Sequence, residues 1–163
     1  MGRRRDDGGM TDPTRIRPYE PSDRDAVLAL APRLTEGVAP WRDPAAVRSA
    51  VVGWVRGSID APDADDRLLL VAERDGRVVG FAGAVEREHW SGSADAYIGE
   101  LIVDRAVEGH GVGRALITAV RDWAGRRGLG AITLETGAAN EPARAFYSAL
   151  GFAEEDVRLT LRL

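Results

Sequence analysis

Two stretches of this chain hold residue types at spacings that suit chemistry. The first runs Val103-Asp104-Arg105-Ala106-Val107-Glu108-Gly109-His110-Gly111-Val112-Gly113-Arg114. Its three alternating glycines let the backbone approach a ligand closely. A helix beginning there would point free N–H groups and its positive dipole end outward, an arrangement that suits a pyrophosphate. Arg114 adds charge. The stretch has no lysine, so it is not a Walker loop, and a bare glycine triplet serves a simple turn equally well. The second stretch is Asn140-Glu141-Pro142-Ala143-Arg144-Ala145-Phe146-Tyr147-Ser148-Ala149-Leu150-Gly151-Phe152. Ala143, Phe146, Tyr147 and Leu150 share one helix face by their 3–4 spacing. On that face Tyr147 reads as a core aromatic. Asn140 is the only Asn in a chain without Gln or Lys. Ser, Thr or Asp would cap a helix as well, so its presence points to a specific amide contact.

Two carboxylates complete the set. Glu100 interrupts the apolar run Ala96-Tyr97-Ile98-Gly99-Glu100-Leu101-Ile102-Val103 and falls opposite Leu101 and Val103 by strand alternation. A charge inside such a strand is expensive unless it serves a site. Glu135 lies in the next strand, five residues before Asn140. Each could instead be a structural partner of an arginine. His89, beside Trp90, is a weaker candidate for a base.

Composition narrows the chemistry. The chain has 163 residues, 44% hydrophobic and 29% charged, enough for one globular domain with a real core. Cysteine is absent, which excludes disulfides, thiolate catalysis and Cys-built zinc sites. Two histidines make a His-built metal site a poor expectation, and no metal is expected. A net charge of −4 does not suit a dedicated nucleic-acid binder. No apolar run approaches the ~20 residues of a membrane helix, and Arg3-Arg4-Arg5 is not followed by the apolar stretch of an export signal.

The elements that must position these groups follow from periodicity. Residues 1–13 read as a disordered leader, and 14–163 as one domain. A short strand at 14–19 precedes a helix capped at Ser22 and kinked or ended by Pro32. Asp43-Pro44 opens a second helix running to about Ile59. After a polar loop, 60–66, Leu68–Ala72 and Val78–Val85 form a hairpin about Asp75-Gly76. The strand at 96–103 leads into the glycine loop and a helix closed by Gly128. A fifth strand at 131–136, a short helix ending at Gly151 and a last strand at 157–163 complete an α+β order. Trp54 and Trp123, on helices, are expected in the core.

With both motifs in this order, the chain resembles the GCN5-related N-acetyltransferase superfamily over about residues 14–163. Glu108-Gly109-His110-Gly111-Val112-Gly113 is similar to that family's acetyl-CoA pyrophosphate motif, Q/R-x-x-G-x-G/A. Here Glu108 replaces the usual Gln or Arg. Asn140 through Phe152 is similar to its second motif. The resemblance implies a mixed, mostly antiparallel sheet splayed between the fourth and fifth strands, with about four helices. It implies acetyl transfer from acetyl-CoA to an amine acceptor. Acetyl-CoA would contact Gly109, His110, Gly111, Val112, Gly113, Arg114, Asn140 and Tyr147, with its pantetheine arm along Leu101, Ile102 and Val103. Tyr147 would protonate the departing thiolate, and Glu100 or Glu135 would serve as base. Pro40-Trp41-Arg42 and His89-Trp90 would line the acceptor pocket. Family habit implies a homodimer, and the lack of an export signal implies a cytoplasmic protein. Two other readings stay open here. Glu108 favours an acyl-CoA-binding regulatory module that has lost turnover, and the glycine loop alone allows a nucleotide-binding domain.

Overall fold

The computed structural model describes residues 13–61 and 65–163. The expected leader, apart from Pro13, and part of the 60–66 loop lie outside these residues. Five strands form one sheet in the order β1-β2-β3-β4-β5: β1 Arg15–Pro18, β2 Arg67–Arg74, β3 Arg77–Glu88, β4 Ala94–Val103 and β5 Ile132–Leu134. Neighbours pair antiparallel except β4 with β5, which are parallel. The helices are α1 Arg24–Leu30, α2 Pro44–Ile59, α3 Val112–Arg126 and α4 Glu141–Ala149. This is the expected α+β mixed sheet with four helices.

Local chemistry explains the boundaries. Asp43 caps α2 by accepting from Ala46 N at 3.0 Å, and Pro44 fits the first helical position. Asp75 and Gly76 both take positive φ, 50° and 71°, as a tight primed turn between β2 and β3 requires. Gly128, at φ 70°, closes α3. The expected Ser22 cap is not formed. Ser22 sits in a 3₁₀ turn, Pro21–Asp23, and the buried Asp23 instead accepts from Glu20 N at 2.9 Å and from Arg17. The ion pair with Arg17 ties the turn to β1 and holds the Asp23 carboxyl below the usual carboxylate range. Pro32 ends α1, and the chain continues as a 3₁₀ turn, Ala31–Thr35.

Two cores cover the two sheet faces. α3 buries Leu116, Ile117, Val120, Trp123 and Ala124 against Ala82, Ala84, Ala96 and Ile98. α1 and α2 bury Val27, Val55 and Ile59 against Leu69, Val71, Phe81 and Ile102. Each Val, Leu, Ile or Phe among them, fully buried, is worth about 1.5–3 kcal/mol. Trp123 is in the core as expected, but Trp54 is 62% exposed, because the buried stripe of α2 is Val51, Val55 and Ile59 and position 54 falls beside it. The expected last strand does not form. Val157, Leu159, Leu161 and Leu163 are exposed and pair with no strand among the described residues. Alternation alone makes no strand without an edge to pair with, and β5 offers only three residues.

One irregularity in β4 decides the site. Gly83 pairs with Glu100, whereas Ala84 pairs with Ile98, so Gly99 is an extra, bulged residue. Ile98 and Leu101 therefore both pack on the α3 side, three residues apart. Without the bulge Glu100 would share the face of Ile98. With it, Glu100 lies on the face of Ile102, beneath α2.

Candidate active site

The glycine loop joins β4 to α3. A 3₁₀ turn, Arg105–Val107, is capped by Asp104, which accepts from Ala106 N at 2.9 Å. Gly109 (φ 76°) and Gly111 (φ 82°) then take left-handed conformations that place the loop backbone ahead of α3. A Cβ at either would meet no neighbouring atom, so the constraint there is backbone conformation rather than space. Gly113 has the opposite reason: a Cβ would come within 3.0 Å of the Phe146 ring. That contact packs the loop's helix against α4 and joins the two motifs. His110 donates from Nδ1 to Glu108 O at 2.9 Å, since a carbonyl can only accept. The guanidinium of Arg114 is exposed and has no partner among the described residues. Glu108 does not stand alone, because Arg33 donates to it and also to Glu36.

β4 and β5 are paired only at Ala96–Ile132, Tyr97–Thr133 and Ile98–Leu134. From Glu100 to Val103, β4 keeps its β3 neighbour but has no strand partner on its other edge among the described residues. Main-chain groups along Leu101, Ile102 and Val103 are thereby left for another partner to satisfy. This is the splay that the resemblance implies.

Glu100 is 7% exposed. Ser58 Oγ, near the end of α2, donates to Glu100 Oε1 at 2.7 Å. Burial pushes the Glu100 carboxyl above its ordinary range, opposed by the Ser58 hydrogen bond and the charge of Arg67. A Cβ at Gly83 would collide with Glu100 Oε2, so this glycine makes room for the carboxylate. Glu100 ends a cavity of about 190 Å³ also lined by Ser58, Arg67, Gly83, Tyr97 and Gly99. A larger, shallow groove of about 590 Å³ along α2 contains Arg48 and Arg56 but no carboxylate, and is not the candidate site.

Tyr97 stands between the two candidate carboxylates. Burial and the charges of Glu135 and Glu100 push its hydroxyl up, while Arg87, stacked 3.6 Å from its ring centroid, opposes them. Paired Tyr97 and Thr133 share a sheet face, and alternation puts Glu135 on it too. The structure thus brings Glu100 and Glu135 to one face in different settings. Glu135 is exposed, with Arg158 at 3.6 Å. Tyr147 packs between Phe146 and Phe152, with ring centroids 5.3 and 5.6 Å away. Its hydroxyl has no hydrogen-bond partner among the described residues, and burial alone raises its pKa.

The single Asn uses both ends of its amide. Asn140 Oδ1 accepts from Ala143 N at 3.3 Å and caps α4, while Nδ2 donates to Glu36 O at 3.3 Å. Asp could make the first bond but has no donor for the second. Where the resemblance implies contact with acetyl-CoA, the amide contact present is to the chain's own 36–37 segment. His89 and Trp90 do not line the Glu100 cavity, nor does Trp41. His89 bonds Ser91, and Arg162 lies over Trp41. Ser58, Gly83, Tyr97 and Arg33 were not singled out in the sequence. Only Gly83 carried a signal, a glycine inside an apolar strand.

A family model described as "Acetyltransferase (GNAT) family" matches residues 40–152. Among relatives, the chain is 37% identical over 91 residues to a mycothiol acetyltransferase of Thermomonospora curvata, covering 54% of this chain and 28% of that protein. It is 35% identical over 94 residues to a streptothricin acetyltransferase of Streptomyces lavendulae, covering 58% and 48%. The chain thus spans less than half the length of these relatives. Among solved structures, aminoglycoside N-acetyltransferase AAC(6')-Iy in complex with CoA superposes with a TM-score of 0.70 at 21% identity, covering 92% of this chain and 94% of that one. With the glycine loop, the splayed sheet and the second motif in place over the matched span, the chain belongs to the acetyltransferase (GNAT) family.

Proposed function

We propose that this chain is an acetyl-CoA-dependent N-acetyltransferase acting on a primary amine of a small molecule or protein. The observation that supports it best is the open edge of β4 from Glu100 to Val103, which has the glycine loop at one end and the Glu100 cavity at the other. The parted strands offer main-chain groups to pantetheine amides, and the loop from Gly109 to Arg114 offers N–H groups and charge to the pyrophosphate.

The acceptor ammonium must first lose a proton, which for a pKa of ~10 costs roughly 4–5 kcal/mol at neutral pH. Glu100 takes that proton, directly or through water, and its raised pKa brings it closer to the task. The free amine attacks the thioester carbon, and backbone N–H groups of β4 stabilise the oxyanion. As the C–S bond breaks, Tyr147 gives its proton to the thiolate and recovers one from the new amide nitrogen through solvent. Burial keeps the Tyr147 phenol protonated until that moment. Glu135, exposed on the same face, positions the acceptor's positive charge.

Thiol release from acetyl-CoA with a panel of amines tests the activity. Gly111→Val forces a β-branched residue to a φ of 82° in the loop and should abolish CoA binding in a folded protein. Unchanged CoA affinity would sink the assignment of the loop. Family habit also supports a homodimer. No helix among the described residues is long and apolar enough to cross a membrane, and none of their His, Asp and Glu side chains group as a metal site.

A further inference from the structure

Arg67 opens β2 and lines the same cavity as Glu100. Sheet register brings the two together. Leu69 pairs with Gly83 and Gly83 with Glu100, while Arg67 pairs with Val85 and Val85 with Tyr97. Cross-strand partners share a face, and so do residues two apart along a strand. Arg67 and Glu100 therefore rise from one face of the sheet, two strands apart, with Gly83 and Val85 between them. Strand spacing puts their backbones about 10 Å apart across the sheet. Gly83 has no side chain to fill that gap, and a Cβ there would meet Glu100 Oε2. The cavity of about 190 Å³ lies over it. Its volume matches about six water molecules, room for one small acceptor.

The Arg67 guanidinium is anchored without being neutralised. Nη1 donates to Ser58 O at 3.0 Å and to Ala61 O at 3.1 Å, carbonyls at and just past the end of α2. Nε is closed off from solvent, whereas Nη2 is not. Nη2 has no partner, and no carboxylate pairs with Arg67, among the described residues. Two carbonyls thus fix the fork and leave its charge and one open N–H face for an anion, and a carboxylate matches that geometry. Across the cavity, Glu100 has Oε1 taken by Ser58 and keeps Oε2 for an ammonium. A plain alkylamine would answer the carboxylate and leave the guanidinium without an anion. A molecule with both charges a few bonds apart answers both. We propose that the acceptor is a small amine of the amino-acid type, and that Arg67 selects it, Nη2 donating to the acceptor's carboxylate while Glu100 takes the ammonium proton. This rests on the Glu100 cavity being the acceptor site of an N-acetyltransferase.

The test follows thiol release from acetyl-CoA with amino acids, each paired with the amine that decarboxylation would leave: alanine with ethylamine, leucine with isopentylamine. Wild-type kcat/KM should favour the amino acid of a pair at least tenfold. Arg67→Gln should cut that ratio about tenfold to a hundredfold, the scale of a charge-assisted hydrogen bond. Arg67→Lys keeps a charge but loses the fork, so the ratio should fall several-fold; it decides the matter if Arg67→Gln does not fold by circular dichroism. Turnover of the amines with no preference for the amino acids would overturn the proposal and leave the acetyltransferase reading standing. A ratio unchanged in the folded Arg67 variants would also overturn it, and would make Arg67 a brace for the end of α2. Absence of thiol release with every acceptor would show that the acetyltransferase reading itself is wrong, and this proposal with it.

Discussion

Glu100, the proposed base, and Tyr147, the proposed acid, are both shifted by burial. For Tyr147 it raises the pKa, which keeps the phenol protonated, as the proposed role of acid requires. Tyr147→Phe retains the ring between Phe146 and Phe152 and should lower kcat by ~10²–10³ with CoA affinity nearly intact. Wild-type turnover would make Tyr147 a packing residue. For Glu100 burial favours the protonated form, so the acid limb of kcat/KM should lie above the ordinary carboxylate range. Glu100→Gln should depress kcat/KM most near pH 6–7 and recover partly as pH nears the amine pKa of ~10. The same residue affects stability with a definite sign. A carboxyl whose pKa is higher in the fold contributes stability below its unfolded value, and this is lost as pH rises through the folded value. At pH 7–8 Glu100→Gln should therefore raise Tm by about 1–4 °C, and the gain should vanish at acidic pH. A Tm gain unaffected by pH would assign it to packing, and a pH-independent activity loss would remove Glu100 as base.

At the scale of elements, the segment from Arg33 to Gly37 is pinned to both motif loops. Arg33 reaches Glu108, Asn140 reaches Glu36 O, and Gly37 packs so tightly on Gly137 and Asn140 that a Cβ at either glycine would collide. Asn140→Asp keeps the cap of α4 and adds a charge at its N-terminus worth about 0.3–1 kcal/mol. It also deletes the donor to Glu36 O and sets two acceptors against each other, at about 1–3 kcal/mol. The second effect is larger, so a net loss of about 1 kcal/mol is expected by denaturant unfolding. An unchanged stability would mean that the amide does not brace the two loops.

Across the whole molecule, the described residues leave apolar surface uncovered at Val38 and Trp41 ahead of α2, at Trp54 on α2, at Trp90 beyond β3, and at the alternating Val157, Leu159, Leu161 and Leu163, while the edge strand β5 has no outer partner among them. Exposed apolar side chains near an open strand edge suit association between chains. Light scattering at micromolar concentration should give twice the 17.5 kDa of one chain. A monomer would count against the homodimer.

Much of this protein was determined by local sequence. Asp43-Pro44, Asp75-Gly76 and Gly128 mark ends that depend on caps and φ angles, which act within a few residues, and the order of elements follows from periodicity. The glycine loop and the Asn140–Phe152 helix were legible for the same reason, since their chemistry is contiguous. Tertiary structure alone decided the rest. The face of Glu100 depends on one bulged residue at Gly99, visible only in the register against β3. Ser58 and Gly83 acquire their roles because α2 and β3 converge on one carboxylate. The tail alternates like a strand, but a strand needs an edge as well as a pattern. The charge at Glu108, which reads as a defect in one dimension, is answered by Arg33 from 75 residues away. Long-range electrostatics and packing depend on distance in space, and spacing along a chain does not encode that distance.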